Sequence, residues 1–301
     1  MINFLTLSEF NFLRTAFLFT AAASLTFGLL GSFVVSRRIG YLAGAIAHCA
    51  FGGMGIGIWL KGSAAAGIYG FAALAELLRG NESSGEWLAA LSSRINPVAV
   101  AVFVAVVSTV FIGFIQKYAK EREDALIGIL WTAGMAVGLL FLDRTKGFVE
   151  VSAYLLGNVL LISPSDIRTI LVLDALVASL CLLFFKRLEV VCFDEEFARI
   201  RGMRVDLYQG MLLFLIAITV VLSMRIVGIV LVIALLTIPA SIASRLTKRL
   251  GYMAIFAVVI SFLSCWAGLW LCYVLNFSAG PMIVILLSGI YMVVVLTSGK
   301  R

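Results

Sequence analysis

The sequence predicts an all-α polytopic membrane protein with about eight to nine transmembrane helices, and three observations carry that expectation. Apolar residues make up 62% of the 301 positions and charged residues only 13%, against roughly a quarter charged in an average soluble domain. The mean hydropathy is +1.12. The apolar stretches recur along the whole chain and leave no residues for the charged shell of a soluble core, so the solvent is lipid.

A helix needs about 20 apolar residues to cross the hydrocarbon layer, because each backbone polar group must be satisfied within the segment. That criterion gives spans at 11–35, 41–60, 97–115, 125–142, 166–185, 207–224, 226–244, 252–272 and 280–297. The N-terminus has no Lys or Arg before Arg14 and no short apolar core ending in a small-residue cleavage site, so the first run is expected to be a retained helix. With the N-terminus outside, the cytoplasmic loops collect Arg37, Arg38, Lys117, Lys120, Arg122, Lys186, Arg187, Arg199, Arg201, Arg204, Arg245, Lys248, Arg249, Lys300 and Arg301, which is 15 of the 23 basic residues. This asymmetry orients the chain with a cytoplasmic C-terminus. It also accounts for the net charge of +7 without a nucleic-acid partner, since the basic residues lie in short clusters between apolar runs.

Two stretches do not fit a simple count. Residues 62–79 carry several glycines and Glu76, and counting them as a span would put one basic cluster on the outer side. They are expected to form an interfacial or partly buried helix within a long outer loop, 61–96. Residues 143–165 are too short and too interrupted to cross, and are expected to be an outer re-entrant or cavity-lining segment. The whole chain, 1–301, then forms a single transmembrane domain.

The chemistry begins with absences in the sequence. The only Gly-Lys pair, Gly299–Lys300, precedes Arg301 at the chain end, so no phosphate-binding loop is present. His48 is the only histidine, which excludes the zinc-protease pair, and no nucleophile turn appears; an enzyme is not expected. The cysteines Cys49, Cys181, Cys192, Cys265 and Cys272 form no CxxC pair and give no disulfide framework.

The longest polar insertion on the cytoplasmic side is KRLEVVCFDEEFARIRGMRVDLYQ at 186–209. Asp194, Glu195 and Glu196 fall at the start of a short helical run, and Arg199, Arg201 and Arg204 towards its end, the order the helix dipole favours. Gly202 then stops or bends it. Such a helix suits docking on a soluble partner, although an ordinary solvated connector has the same pattern.

Four stretches give the chain a resemblance to a known family: GSFVVSRRIGYLAGAIAH at 31–48, YLLGNVLLISPSD at 154–166, FDEEFARIRG at 193–202 and RIVGIVLVIALLTIPASIASRL at 225–246. In order and spacing the chain resembles the membrane permeases of manganese/zinc/iron-uptake ABC transporters, from about residue 25 to the end, with 61–96 outside the resemblance. The resemblance implies a type II ABC importer permease in the cell (inner) membrane, working as a homodimer. It also implies a cytoplasmic ATP-binding subunit docked on a coupling loop at 186–206, with Asp194, Glu195, Glu196, Arg199 and Gly202 in the contact. An extracytoplasmic metal-binding protein would deliver the transported divalent metal ion, and this chain would bind no cofactor.

His48 and Asp174 are the candidate residues of the translocation path. An ionisable group within a span is expensive to bury and points to function. By helical spacing Gly44, His48, Gly52 and Gly55 share a face on which another backbone can approach closely. The family histidine follows an acid by four positions, where this chain has Gly44. Asn158 and Asn276 likewise stand where the family commonly has acids. Loss of three carboxylates argues for a softer ion than Mn²⁺ or for a site that only passes the ion on, with zinc first and manganese or iron next. Asp174 serves either cation passage or a structural hydrogen bond. Cys265 and Cys272 share a face, with packing favoured over metal binding. Pro239 is expected to bend its helix for packing. The competing functions are an ion-coupled secondary transporter, which would want more intramembrane acids and paired repeats, and an ABC permease for a metal chelate such as a siderophore.

Overall fold

The computed structural model describes residues 11–65, 96–118, 123–145, 155–157 and 162–297. Among them are eleven helices: α1 (Asn11–Ser36), α2 (Gly40–Ala65), α3 (Pro97–Tyr118), α4 (Glu123–Asp143), α5 (Pro164–Leu183), α6 (Phe185–Phe193), α7 (Glu195–Ile200), α8 (Val205–Val227), α9 (Ile229–Leu246), α10 (Leu250–Leu275) and α11 (Ala279–Thr297). Eight are long and apolar enough to cross a membrane, and α5 and α6 pass the same test together but are bent by 71° at Phe184. The protein is therefore an all-α polytopic membrane protein with eight to nine spans among the described residues. Most of the stretch 61–96, part of 143–165 and Asn158 lie outside the described residues.

The chain divides into two compact units. The first holds α1, the start of α2 to Gly44, and α5 to α11; α1 lies at its centre and packs against α10, α9 and α5. Close packing is possible because lipid offers no hydrophobic drive between helices, so small residues set the approach. A Cβ on Gly31 would collide with the Leu236 carbonyl of α9, and one on Gly28 with the Val258 backbone of α10. Buried aromatics Phe19, Phe27 and Phe33 of α1 fill the spaces between.

Sequence detail explains several ends. Ser163 caps α5 in a reciprocal box, its hydroxyl accepting from the Asp166 amide while the Asp166 carboxylate accepts from the Ser163 amide at 3.0 Å, and Pro164 occupies the first turn. Arg225 adds an ion pair to Asp166 at 3.5 Å, joining the end of α8 to the start of α5. One boundary differs from expectation. The break between the spans expected at 207–224 and 226–244 falls at Gly228, whose φ of 83° needs a glycine, and not at Arg225. At that glycine the Leu156–Gly157 backbone approaches within the distance of a Cβ, and Leu156 likewise contacts Gly280 of α11.

The second unit holds the rest of α2 from Ala45, with α3 and α4. A Cβ on Gly52 would lie 2.8 Å from the Gly134 carbonyl oxygen, and one on Gly55 2.5 Å from that of Gly138. The expected glycine strip of α2 thus meets a Gly-x-x-x-Gly strip on α4. Gly53 and Gly57 bring another side of α2 against Ala101 and Pro97 of α3.

Candidate functional site

The charged insertion folds as two helices. Residues 186–193, expected only as the start of the polar insertion, belong to α6, an amphipathic helix with Leu188 and Val191 buried. α7 is short, starting after Asp194 and ending at Ile200, so that Arg201 and Arg204 follow the helix instead of lying within it. The Asp194 carboxylate accepts from the Phe197 amide at 2.9 Å and caps the first turn. Gly202, at φ 75°, ends α7 in a Schellman turn: the Met203 amide donates to the Ala198 carbonyl and the Gly202 amide to that of Arg199, each at 3.0 Å.

A small core holds the two helices to α8: Val191, Ala198 and Val205 are buried together, with Val190, Met203 and Tyr208 against them. Around it runs a line of charges. Glu195 accepts from Arg37 at 3.3 Å and from Arg199 at 2.8 Å, and Arg199 also reaches Asp206 at 3.0 Å. Hydrogen bonding to Glu195, with the Asp206 charge nearby, raises the Arg199 guanidinium further above its ordinary value. Outward, Phe193, Phe197 and Ile200 are exposed, Ile200 by 84%, and the Arg201 guanidinium lies 4.8 Å from the Phe197 ring. Glu196 faces out as well. The arrangement is a firmly seated short helix presenting apolar side chains ringed by both signs of charge.

The candidate path residues fall in different units, and each has its own surroundings. His48 is buried in α2, its ring stacked on Trp131 of α4 with centroids 4.8 Å apart and planes 26° from parallel. Its Nδ1 is buried without a hydrogen-bond partner. The closeness of the ring to α4 follows from the glycine strip, since a Cβ on Gly134 would lie 2.7–2.8 Å from the His48–Cys49 backbone. Trp131 carries only a weak sequence signal, its position one turn before Gly134.

Asp174 is buried in α5. Thr26 of α1 donates to its Oδ1, and its Oδ2 is buried with no partner. Gly44 begins no acid–histidine pair, and Asn276 takes the left-handed conformation, φ 57° and ψ 38°, that ends α10. Asparagine tolerates that conformation well. Cys265 and Cys272 are buried, and the Cys272 thiol donates to the Phe277 carbonyl at 2.7 Å. Among the described residues no three or more His, Cys, Asp or Glu side chains gather as a metal-holding group.

Known proteins are similar to this chain in fold and in sequence. A solved structure, PsaBC from Streptococcus pneumoniae in complex with Fab, superposes with a TM-score of 0.76 over 96% of this chain and 92% of that one, at 22% identity, and so shares the fold. A probable metal transport system membrane protein of Chlamydia trachomatis is 31% identical over 89% of this chain and 83% of its own length. The manganese transport system membrane protein MntB of Synechocystis is 35% identical over 68% of this chain and 67% of its own length. The sequence profile described as the ABC 3 transport family matches residues 9–79 and 87–298, which takes in most of 61–96 and leaves out only 80–86. With the profile covering nearly the whole chain, this protein belongs to the ABC 3 transport family.

Proposed function

We propose that this chain is the permease of an importer for a divalent transition-metal ion, driven by a separate ATP-hydrolysing subunit that docks on α6–α7. An extracytoplasmic metal-binding protein supplies the ion, and two copies of the chain form the pore. The observation that carries the proposal is α7 itself: a short helix, capped by Asp194, braced through Glu195 and Arg199, and presenting Phe197 and Ile200 outward beside the exposed Phe193 that ends α6. The sequence has no phosphate-binding loop, which fits a separate ATP-hydrolysing subunit as the source of force. The basic bias of the loops puts α7 on the cytoplasmic side, where ATP is.

The relatives named for metal and manganese transport support the metal cargo. His48, with its unpartnered Nδ1, is the ligand candidate along the path, and Asp174 the second. Two ions are favoured by different observations. The named relatives favour manganese, whereas an imidazole with Gly44 in place of an acid favours zinc, a softer ion less dependent on carboxylate charge.

Uptake of radioactive Zn²⁺, Mn²⁺ and Fe²⁺ into a strain lacking the gene tests this function. Loss of uptake of at least one ion, restored by the wild-type gene and not by His48→Ala, is the expected result. Equal uptake of all three ions with and without the gene would sink the metal assignment. Phe197→Asp with Ile200→Asp should abolish co-purification of the ATPase subunit, and retention of that subunit would remove the docking site.

A further inference from the structure

Arg37 is a buried cation at the corner between the first two spans. Its side chain is only 10% exposed, and the carboxylate that meets it is Glu195 of α7, at 3.3 Å from Nη2. A buried charge persists only when it is paired, and removing one member of such a pair leaves the other uncompensated. The contact joins residues 158 positions apart. It is a single, long contact compared with the two parallel bonds an Arg–carboxylate pair can form, and Nη1 is buried without a partner. The pair thus holds an enclosed cation through one contact to a carboxylate that is itself 41% exposed.

What lies on either side of the pair is stiff. On the α7 side, Glu195 is also held by Arg199, which reaches Asp206 at the start of α8. Between α7 and α1 lies α6, whose Phe185 packs edge-on against Phe33 with ring centroids 5.7 Å apart. On the other side, α1 ends in a Schellman turn: the Ile39 amide donates to the Val34 carbonyl and the Arg38 amide to the Val35 carbonyl, both at 3.0 Å. Only Arg37, Arg38 and Ile39 separate α1 from α2, and α2 runs unbroken from Gly40 through His48. The connection from Arg37 to the start of α2 is therefore short and hydrogen-bonded.

We propose that Arg37 is a positioning residue of the transport cycle, and that the Arg37–Glu195 pair carries displacement of α7 into the α1–α2 corner and so into the helix that bears His48. The proposal rests on the docking of an ATPase subunit at α7. It differs from that docking in that Arg37 is buried behind α7 and is not part of the outward face.

The test uses the complete complex in proteoliposomes, with Mn²⁺ or Zn²⁺ as cargo, whichever the wild-type complex accumulates. The readout is ions taken up per ATP hydrolysed, alongside co-purification of the ATPase subunit. Arg37→Gln is expected to lower the ratio at least tenfold with the ATPase subunit still bound, and Glu195→Gln to lower it similarly. Because Arg37 meets Glu195 in a contact that Glu195→Gln already weakens along with its bond to Arg199, the double variant should be no worse than the poorer single variant. Arg37→Lys, which keeps the charge, should recover at least a third of the wild-type ratio. A ratio within twofold of wild type in Arg37→Gln, or losses that multiply in the double variant, overturns the proposal. If Arg37→Gln fails to assemble, Glu195→Gln decides on the same twofold criterion. Failure of the docking itself is separately visible, as an ATPase subunit that stays bound to the Phe197→Asp, Ile200→Asp variant.

Discussion

Thr26 on α1 donates its hydroxyl proton to Oδ1 of Asp174 on α5, while the second carboxylate oxygen, Oδ2, is buried with no hydrogen-bond partner. The two residues are 148 positions apart, and their contact joins α5 to the central helix of its unit. A carboxyl group met by one hydroxyl in a membrane interior is costly to keep.

Asp174→Asn tests whether that cost serves transport. The amide oxygen can still accept from Thr26, and the charge is gone, so the variant should be more stable than wild type by about 1–3 kcal/mol. Thermal unfolding in detergent measures this. Metal uptake in the same variant should fall at least fivefold, separating function from folding. Thr26→Val, which strips the carboxylate of its donor, should instead destabilise the protein by about 1–3 kcal/mol. Raised stability with unchanged uptake would assign Asp174 to helix packing alone.

For His48, the ring stacked on Trp131 separates shape from ligand chemistry. His48→Phe keeps an aromatic face for Trp131 and deletes both nitrogens, whereas His48→Ala deletes the face as well. Aromatic pairs contribute roughly 0.5–1.5 kcal/mol beyond area burial. Thermal unfolding should therefore show His48→Phe close to wild type and His48→Ala clearly less stable, with both variants failing to accumulate metal. Full uptake by His48→Phe would mean that the imidazole nitrogens are not ligands.

The glycine strips of α2 and α4 make a contrast that one helix assay can read. A Cβ on Gly55 would stand 2.5 Å from the Gly138 carbonyl oxygen and 2.9 Å from its Cα, backbone that cannot move aside cheaply. Gly55→Ala should cost about 1–3 kcal/mol, the range for overpacking. A Cβ on Gly113 of α3 or Gly128 of α4 would meet nothing within 4 Å. Alanine there should stabilise by about 0.5–1 kcal/mol through backbone entropy alone. Equal effects at Gly55 and Gly113 would contradict the backbone contact.

The spans were legible in the sequence because lipid imposes a rule on each segment separately: length, apolarity and internal hydrogen bonding are local properties. Hence 11–35 and α1, 97–115 and α3, or 280–297 and α11, agree within three residues. The cap of α5 was present as Ser163, Pro164 and Asp166, and the stop of α7 as Gly202, again local signals. The bend at Phe184 was not legible, because the run VASLCLLFF continues apolar past it to Phe185 and the bend is accompanied by the packing of Phe185 on Phe33, a tertiary contact. Nor were Thr26 with Asp174, Arg37 with Glu195, or Trp131 under His48, since each pairs residues distant in sequence and nothing in one member names the other. Asp174 and His48 stand out in the sequence as ionisable groups within spans, whereas what holds them does not.

The ends of α1 and α7 provide a last comparison, because the same turn is built with two different residues. Both helices finish in a Schellman turn with the left-handed position at Arg38, φ 59°, and at Gly202, φ 75°. For an L-residue with a side chain that conformation costs about 1–2 kcal/mol, and glycine escapes it. Arg38→Gly should therefore stabilise the α1–α2 corner by about 1 kcal/mol, despite deleting a cation, and Gly202→Ala should destabilise the α7 end by a similar amount. A Cβ on Gly202 would touch nothing within 4 Å, so the second effect isolates backbone strain from packing. Amide hydrogen exchange over 34–42 and 194–205 reads the two turns separately: slower exchange in the first variant and faster in the second is the expected pair of results. Faster exchange at the corner in Arg38→Gly would mean that the Arg38 side chain, and not the backbone turn, holds that corner in place.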